Sequence, residues 1–374
     1  MSKPRLLAAL VALSVVATIA VPASPAVAVW PQTVDGTIAT LQPVVLPTLG
    51  GDTAFADGIN SAGVIVGTST TSTGAFHAVA WRNGRAEDLG TLVSGGSSEA
   101  YDIDDQNRVV GQSLAADNRY HAVMWQEVTT SDPRGRKPPR TSWRITDLGV
   151  LGDGPWAEAR DINNNGVIVG RYTLGQGFEA QFQGSRGFIR RNGTITTLNL
   201  DPGVIPFGLN DSGQVVGVYR YTISSSFGIT SRAFLWQDGT GTDLGTLGGQ
   251  NIFAYAINNT GQVVGETGTA DGRTAGFVWQ AGSIRQLPID QPNVQSYNAA
   301  SINDAGNIVG TASLDTLNTR ALLWSSPDAQ PQTLAAPPGH SSPSASTVGP
   351  QGWVLGYAIR PTATSIGHSA IVWR

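Results

Sequence analysis

The sequence predicts an all-β protein, a seven-bladed β-propeller, from three observations. One unit recurs seven times along the chain, each unit reads as four short strands, and the last unit lacks a fourth strand for which the N-terminal region supplies a candidate. Repeats of about 40 to 50 residues with four strands each are typical of propeller blades.

The repeated unit has a fixed order of residue types. It runs from a small residue to an aliphatic residue, an asparagine that we call the anchor, a polar turn ending in glycine, two aliphatic residues and a final glycine. The anchors are Asn60, Asp104, Asn163, Asn210, Asn258, Asn303 and the degenerate Gly349. They are 44, 59, 47, 48, 45 and 46 residues apart. The long interval holds an insertion near residues 127–142, which we predict to be an exposed loop.

The pattern inside each unit predicts where the strands lie. The aliphatic residue before the anchor ends the first strand, and the pair before the final glycine lies in the second. The turn glycine tolerates the positive φ that tight hairpins need. A third strand ends in a tryptophan in six units, at Trp81, Trp125, Trp236, Trp279, Trp324 and Trp373. The shared register of these tryptophans indicates packing between blades. The third unit departs, because it has Gly187-Phe188-Ile189-Arg190 at this place and lacks the tryptophan.

The two ends of the chain predict a closed ring. The last unit stops after its third strand at Trp373, while residues 35–41 resemble the fourth strand at residues 192–198. An N-terminal strand that completes the last blade would remove two exposed sheet edges. Residues 46–51 also resemble residues 244–249, so the register of the closing strand stays open. An open β-solenoid is the rival fold, but it needs no such permuted ends.

The first residues predict export. Lys3 and Arg5 precede an uncharged, mostly apolar run at residues 6–20, and Ala26-Val27-Ala28 is a small-x-small cleavage site. We therefore expect a signal peptide at 1–28, a single propeller domain at 29–374, and a secreted, extracellular protein. The alternative is a retained anchor, for which the apolar run is short.

The composition narrows the choice of partner. The chain has a formal net charge of −4 and no cysteine, and Lys137 is the one lysine left after cleavage. This balance argues against nucleic acid and anionic membranes as partners. No second apolar run of spanning length follows the signal, so no membrane span is expected after cleavage. A monomer that meets an extracellular ligand or a cell-surface component is the expected state.

The units resemble the HAF repeat of exported bacterial proteins, named for a His-Ala-Phe triplet. The triplet site reads His77-Ala78-Val79, His121-Ala122-Val123, Arg232-Ala233-Phe234, Arg320-Ala321-Leu322 and His368-Ser369-Ala370. The associated Leu-Gly-Thr-Leu-Gly-Gly run is complete at residues 244–249 and nearly complete at residues 46–51. The resemblance covers nearly the whole mature chain and implies an extracellular repeat protein. It implies no catalytic residue.

Two patterns invite a metal site, and each has a simpler structural interpretation. His77, His121 and His368 occupy equivalent places in neighbouring blades, but these places lie away from the ring axis, whereas metal ligands must converge on one point. The run from Asp161 to Gly166 resembles the first half of a calcium loop, yet the twelfth position is Tyr172 in place of glutamate. We predict no metal and no cofactor, and read these residues as strand starts and a tight turn.

Catalytic motifs are absent from the sequence. It has no cysteine nucleophile, no Gly-x-Ser-x-Gly elbow and no His-Glu-x-x-His. Asp102 and Asp161 share the position two before the anchor in adjacent blades and would flank the central channel, where they could act as an acid–base pair. Because turn carboxylates are usually solvated, we predict no catalytic residue.

Two tryptophans stand outside the repeated register. Trp353 takes a variable site in the second strand. Trp156 takes the place of Thr53, Ser97, Gly203, Asn251 and Ser296 in the other units. It should lie where an inner strand begins, near one face of the ring, and an exposed tryptophan there can stack on a sugar or peptide ring. Burial under a loop is the competing interpretation.

These observations favour an exported, non-catalytic binding or scaffold module. Its ligand would be a glycan, a protein or a small molecule at one propeller face, and Trp156 is the candidate binding residue. One alternative is a lyase or hydrolase with its active site at the central channel mouth, since fold does not fix function. The other is a purely structural extracellular repeat protein.

Overall fold

The chain folds into a seven-bladed β-propeller. The computed structural model describes residues 41–131, 140–149, 151–175, 184–200, 203–224, 228–361 and 366–374, and within these ranges it contains 29 strands and no helix. It follows that nothing in these ranges forms a helix long and apolar enough to cross a lipid bilayer. The expected signal peptide at 1–28 lies outside the described residues.

Seven antiparallel sheets form the blades, and we number the strands in chain order, from the inner to the outer strand of each blade. Blade 1 contains β2 (Gly50–Ile59), β3 (Ile65–Thr71), β4 (Phe76–Arg82) and β5 (Arg85–Asp88). Blade 2 contains β6 (Ser98–Ile103), β7 (Arg108–Leu114), β8 (Tyr120–Thr130) and β9 (Arg140–Gly149). Blade 3 contains β10 (Ala157–Ile162), β11 (Ile168–Thr173), β12 (Ser185–Arg191) and β13 (Thr194–Thr197).

The remaining blades repeat this order with small changes. Blade 4 contains β14 (Ile205–Leu209), β15 (Val215–Ser224), β16 (Gly228–Gln237) and β17 (Thr240–Asp243). Blade 5 contains β18 (Gly248–Ile257), β19 (Val263–Thr269), β20 (Thr274–Gln280) and β21 (Ser283–Gln286). In blade 6 the inner strand is split into β22 (Ser296–Tyr297) and β23 (Ser301–Ile302), followed by β24 (Ile308–Ser313), β25 (Thr319–Trp324) and β26 (Gln332–Leu334). Blade 7 contains β27 (Ser341–Val348), β28 (Val354–Pro361), β29 (Ile366–Trp373) and, outermost, β1 (Pro43–Val45).

The closing strand confirms that the N-terminal region completes the last blade. β1 pairs with β29 so that Val44 lies opposite Val372. Leu46 N–H then donates to the Ala370 carbonyl at 2.9 Å, as Leu244 N–H does to Ala233 at 3.1 Å. The resemblance between residues 46–51 and 244–249 therefore sets the register, and the alternative based on residues 35–41 is wrong. Residues 35–40 lie outside the described part of the chain.

The final glycine of each unit is required by close backbone approach. The inner strand of blade 1 carries a β-bulge between Ala56 and Gly58, opposite Gly67. A Cβ atom at Gly67 would lie 2.0 Å from the Phe55 carbonyl oxygen, and the other six final glycines would meet the equivalent oxygen at 1.8 to 2.2 Å. The bulge therefore requires the glycine, because the bulged backbone occupies the space that a side chain at the final position of the unit would need.

The repeated tryptophans lie in the core between blades. Trp81, Trp125, Trp324 and Trp373 are fully buried. The indole nitrogens of Trp81 and Trp373 donate to the carbonyls of Pro47 and Ala335, each at 2.7 Å. In blade 3, Arg190 stands at this place in the register and Phe188, which is 1% exposed, fills the core from two residues earlier. The predicted packing role of the tryptophans is confirmed.

The insertion of blade 2 lengthens a hairpin. β8 and β9 stay paired as far as Thr130 and Arg140, so part of the predicted loop at residues 127–142 is strand. Residues 132–139, which join the two strands, are outside the described residues.

The anchors form a ring of hydrogen bonds around the channel. In five blades the Nδ2 atom of the anchor donates to the anchor carbonyl of the next blade at 3.0 to 3.1 Å; the donors are Asn60, Asn163, Asn210, Asn258 and Asn303. The anchors Asp104 and Gly349 cannot donate. Arg108 instead reaches the Asn164 carbonyl at 3.5 Å, and Gln351 reaches the Asn60 carbonyl at 3.4 Å.

Candidate functional site

The propeller presents two different faces. Antiparallel pairing puts the anchor turns on one face, which we call the anchor face, and the connections between second and third strands on the other, which we call the loop face. Trp156 directly precedes β10 and therefore lies on the loop face, as predicted from the sequence. Asp102 and Asp161 lie near the ends of β6 and β10, towards the anchor face.

Trp156 is held between blades 2 and 3. Its ring stacks on Tyr120, with centroids 5.1 Å apart and planes 21° from parallel. The indole nitrogen donates to Oε1 of Gln112, which is 2% exposed. Tyr120 is fixed in turn by Ser97, whose hydroxyl lies 2.9 Å from the Tyr120 hydroxyl. Trp156 is thus half-buried and rigidly oriented, because both its ring face and its polar edge have partners.

Two exposed leucines extend the surface beside Trp156. Leu151 and Leu174 are 39% and 38% exposed. The Thr173 N–H donates to the Trp156 carbonyl at 2.9 Å, which places Leu174 at the same end of blade 3 as the tryptophan. Leu174 also lies against Gly152, where an added Cβ would meet Leu174 Cδ2 at 3.0 Å. Together Tyr120, Leu151, Trp156 and Leu174 form what we call the loop-face patch.

Charged side chains border the loop-face patch. Arg119 donates to Oδ2 of Asp117 at 2.8 Å and to the Gly152 carbonyl at 3.1 Å. This hydrogen bond from Arg119 holds the pKa of Asp117 well below its usual range. His121 contacts Asp147 at 2.9 Å and Asp117 at 3.2 Å. The rim therefore offers carboxylate acceptors and guanidinium donors.

The channel opens at the anchor face into a cavity of about 270 Å³. Aliphatic side chains before each anchor, such as Ile103 and Ile162, line its wall, and the residues after six of the seven anchors line its rim. The acidic residues of the rim already have hydrogen-bond partners within the protein. Asp105, Asp211 and Asp304 accept the backbone N–H of the preceding blade at 2.8 to 3.2 Å.

Asp102 and Asp161 meet in the channel wall. Their carboxyl groups lie within hydrogen-bonding reach of each other. Oδ2 of each accepts a backbone N–H from the next blade, Asp102 from Ile162 at 3.1 Å and Asp161 from Leu209 at 2.6 Å. Burial, reinforced by the neighbouring Asp161, raises the pKa of Asp102 well above its usual range, and burial also raises the pKa of Asp161. Both residues keep part of their surface exposed and Asp102 lines the channel mouth, but the approach of blades 2 and 3 brings the two carboxyl groups together, which the turn pattern alone does not predict.

A second buried charged group lies in the same blade, and sequence reasoning missed it. Glu158, 1% exposed, accepts from Nε of Arg160 and Nε of Arg171, each at 2.6 Å. The Arg160 guanidinium also lies over the rings of Tyr101 and Phe207, at 5.2 and 5.5 Å. Aromatic and charged side chains from blades 2, 3 and 4 thus meet around Arg160. The sequence signal was weak, because blade 2 also has a glutamate, Glu99, at the Glu158 position, and Arg160 stands where blade 1 has Asp57 and the other blades have aromatic or small residues.

The three equivalent histidines do not converge. His77 contacts Asp88 at 2.8 Å, His121 contacts Asp147, and His368 packs against Phe55 with centroids 5.2 Å apart. Burial lowers the pKa of His368. Across the described ranges no group of three or more histidine, aspartate or glutamate side chains is arranged to hold a metal ion. The segment after Asp161 is a tight turn, with Gly166 at a φ of 74°.

Trp353 lies at the closing interface of the ring. It packs over the anchor turn of blade 1, where a Cβ at Gly63 would meet its ring at 3.2 Å, and Arg374 covers it at 5.5 Å. Its position four after the degenerate anchor Gly349 matches that of Arg108 in blade 2, which covers Gly166 in the same way. Trp353 therefore has a packing role at the interface between blades 7 and 1.

No protein-family model and no curated protein sequence matches this chain. Among solved structures, it is similar to the β-propeller domain of the trilobed protease from Pyrococcus furiosus, a domain described as having an open velcro topology. The identity is 12%, the match covers 86% of this chain and 95% of that chain, and the TM-score is 0.52. This likeness supports the fold and nothing finer.

Weaker likenesses extend to enzymes. An acylaminoacyl peptidase from Pyrococcus horikoshii matches at 11% identity and a TM-score of 0.49, over 87% of this chain and 52% of that chain. A gluconolactonase from Xanthomonas campestris matches at 11% identity and a TM-score of 0.39, over 87% of this chain and 88% of that chain. No activity is carried over from these proteins to this chain.

Proposed function

We propose that this chain is an exported, non-catalytic binding module whose loop-face patch binds a neutral cell-surface glycan. The observation that carries the proposal is the fixed stack of Trp156 on Tyr120 at an open face of the ring. A rigid aromatic side chain contributes contact area with little loss of conformational entropy on binding. Loops on a rigid scaffold are also the usual place for binding residues.

The composition of the patch favours a glycan over the other ligands. Sugars present both apolar C–H faces and hydroxyl groups, and the patch sets an indole and two leucines beside the carboxylate of Asp117 and the guanidinium of Arg119. Carboxylates of Asp117 and Asp147 at the rim, together with the net charge of −4, disfavour an anionic polymer. A neutral glycan has the apolar faces and hydroxyl groups that match the patch, and it carries no negative charge that the rim carboxylates would repel.

The channel supports binding less well than the loop face does. Asp102 and Asp161 are the best acid–base candidates, but their oxygens already accept backbone N–H groups of the next blade. Their first role is therefore structural, because they hold neighbouring blades together. The patch around Trp156, in contrast, is partly open to solvent.

The test is equilibrium binding of the full chain, exported with its own leader, to cellohexaose, chitohexaose and mannohexaose by calorimetry. We expect the wild type to bind at least one of them and Trp156→Ala to weaken that binding at least about tenfold, or about 1.4 kcal/mol. Trp143→Ala is the matched control, because Trp143 is also half-buried but lies on the outer edge of blade 2. Failure of the wild type to bind any of the three, or equal binding by Trp156→Ala, would overturn the proposal.

A further inference from the structure

The position two before each anchor ties neighbouring blades together. Besides Asp102 and Asp161, Ser301 uses this position to accept the backbone N–H of Val348 in the next blade, at 3.3 Å. At the closing interface Thr347 donates from Oγ1 to the Asp57 carbonyl at 2.6 Å. A polar side chain here is therefore an inter-blade latch, and blades 1, 4 and 5 do without it by carrying Gly58, Gly208 and Ala256.

Acidic residues occupy this position in two adjacent blades. Gly58 leaves room for this arrangement, because a Cβ there would lie 2.8 Å from the Cα atom of Asp102 and 3.0 Å from its Oδ1. Two carboxyl groups in direct contact cannot both ionise without strong repulsion, so the pair shares one proton and titrates as a unit.

The charges around the pair do not neutralise it. Arg108 is bonded to Asp104 at 2.5 Å and Arg160 to Glu158 at 2.6 Å, so each nearby guanidinium already has a carboxylate. Besides burial, Asp211 acts directly on the pair and helps to raise the pKa of Asp161. The other ionisable residues on the elements packed against the pair are Asp57 of β2, Glu99 and Tyr101 of β6, Asp104, Asp105 and Arg108 at the turn after β6, Glu158 and Arg160 of β10, and Arg171 of β11. Since carboxylates outnumber cations in this set, the surroundings favour the proton.

We propose that Asp102 and Asp161 form a proton-dependent latch that holds the inner strands of blades 2, 3 and 4 together. With the shared proton, each carboxyl group bonds its neighbour and the next blade. Loss of that proton leaves two adjacent carboxylates, which repel each other and loosen the bonds to Ile162 and Leu209. The anchor-face end of the channel would open at this point of the ring, independently of glycan binding at the loop face.

The sign of the pH dependence follows from the raised pKa of Asp102. The folded protein keeps a proton that an unfolded aspartate loses above its ordinary pKa of 3.8. The contribution of the latch to the free energy of unfolding is complete below that pH and declines as the pH rises through the folded-state pKa. The latch is thus closed at acidic pH and weakest at alkaline pH.

The test is hydrogen exchange at the amides of Ile162, Leu209 and Val348 between pH 5 and pH 9, corrected for the intrinsic exchange rate. Protection of Ile162 and Leu209 should fall at least about tenfold across this range, whereas protection of Val348 should not, because its acceptor Ser301 does not titrate. Asp102→Asn mimics the protonated acid, since its oxygen can accept from Ile162 while its NH₂ donates to Asp161. In that variant the protection of Ile162 and Leu209 should be independent of pH.

The result that overturns the latch is protection of Ile162 and Leu209 that follows the pH profile of Val348 in the wild type. Equal pH dependence in the wild type and in Asp102→Asn would do the same. If Asp102→Asn does not fold, Asp161→Asn supplies the same comparison, because it also leaves one carboxylate and one amide in the pair.

Discussion

Arg108 donates a hydrogen bond from Nε to Oδ2 of Asp104 at 2.5 Å, and the pair stands where neighbouring blades have an asparagine and a valine. The asparagine of those blades donates to the next blade. Asp104 cannot, and Arg108 takes over by reaching the Asn164 carbonyl. Asp104 and Arg108 therefore depend on each other, because the arginine neutralises the carboxylate and supplies the bond to the next blade. We expect the effects of mutating them on the free energy of unfolding to be strongly coupled.

This coupling is measurable as a double-mutant cycle. Asp104→Asn alone removes the carboxylate that neutralises Arg108, and the Asp104 side chain is fully enclosed, so we expect a loss of about 3 kcal/mol in the free energy of unfolding. Adding Arg108→Val recreates the residue pair of blades 1 and 3 and should recover more than half of that loss. Urea unfolding of the single and double variants gives the coupling energy, and additivity within about 0.5 kcal/mol would contradict the account.

Glu158 should control stability at acidic pH. Burial by itself raises the pKa of Glu158, but the guanidinium groups of Arg160 and Arg171 outweigh burial and lower it to about 2. Its folded pKa lies below the unfolded value of 4.5, so the stabilisation is present above pH 4.5 and is lost as the pH falls towards 2. This dependence is opposite in sign to that of the carboxyl pair.

Glu158→Gln is the corresponding variant. It leaves two guanidinium groups without their carboxylate, and we expect a loss of about 3 to 5 kcal/mol at pH 7 that shrinks as the pH falls from 4.5 towards 2. Urea unfolding at several pH values gives both quantities. Asp328→Asn is the control, since this carboxylate is 83% exposed in its ion pair with Arg285 and should matter by less than about 1 kcal/mol. A loss from Glu158→Gln that is the same at pH 7 and pH 3 would contradict the assignment.

Most of the fold could be predicted from the sequence, because the repeat encodes local geometry. The final glycine marks the bulge of each inner strand, the anchor marks the turn, and the shared tryptophan register marks the core. The sequence did not decide the register of the closing strand, because two N-terminal segments resemble strands of other units. Residues 35–41 resemble a fourth strand locally, but the bond from Leu46 to Ala370 requires contact between chain ends more than 300 residues apart, which local similarity does not report.

The candidate site was predictable only in part. The place of Trp156 follows from its position before an inner strand, but its partners Tyr120 and Gln112 belong to another blade. Asp102 and Asp161 could be assigned to the channel, yet their separation depends on how closely two blades approach at the bulge. These contacts join residues that are not shared by all units, so the repeat does not predict them and the stack and the carboxyl pair both needed the structure.

The most direct test of the proposed function is a map of hydrogen–deuterium exchange in the full chain, with and without the hexasaccharide that binds in calorimetry. We expect new protection in residues 117–121 and 151–156 on the loop face, with the protection of residues 102–108 and 161–166 at the channel unchanged. Protection confined to the channel residues would contradict this expectation, and would move the ligand to the anchor face.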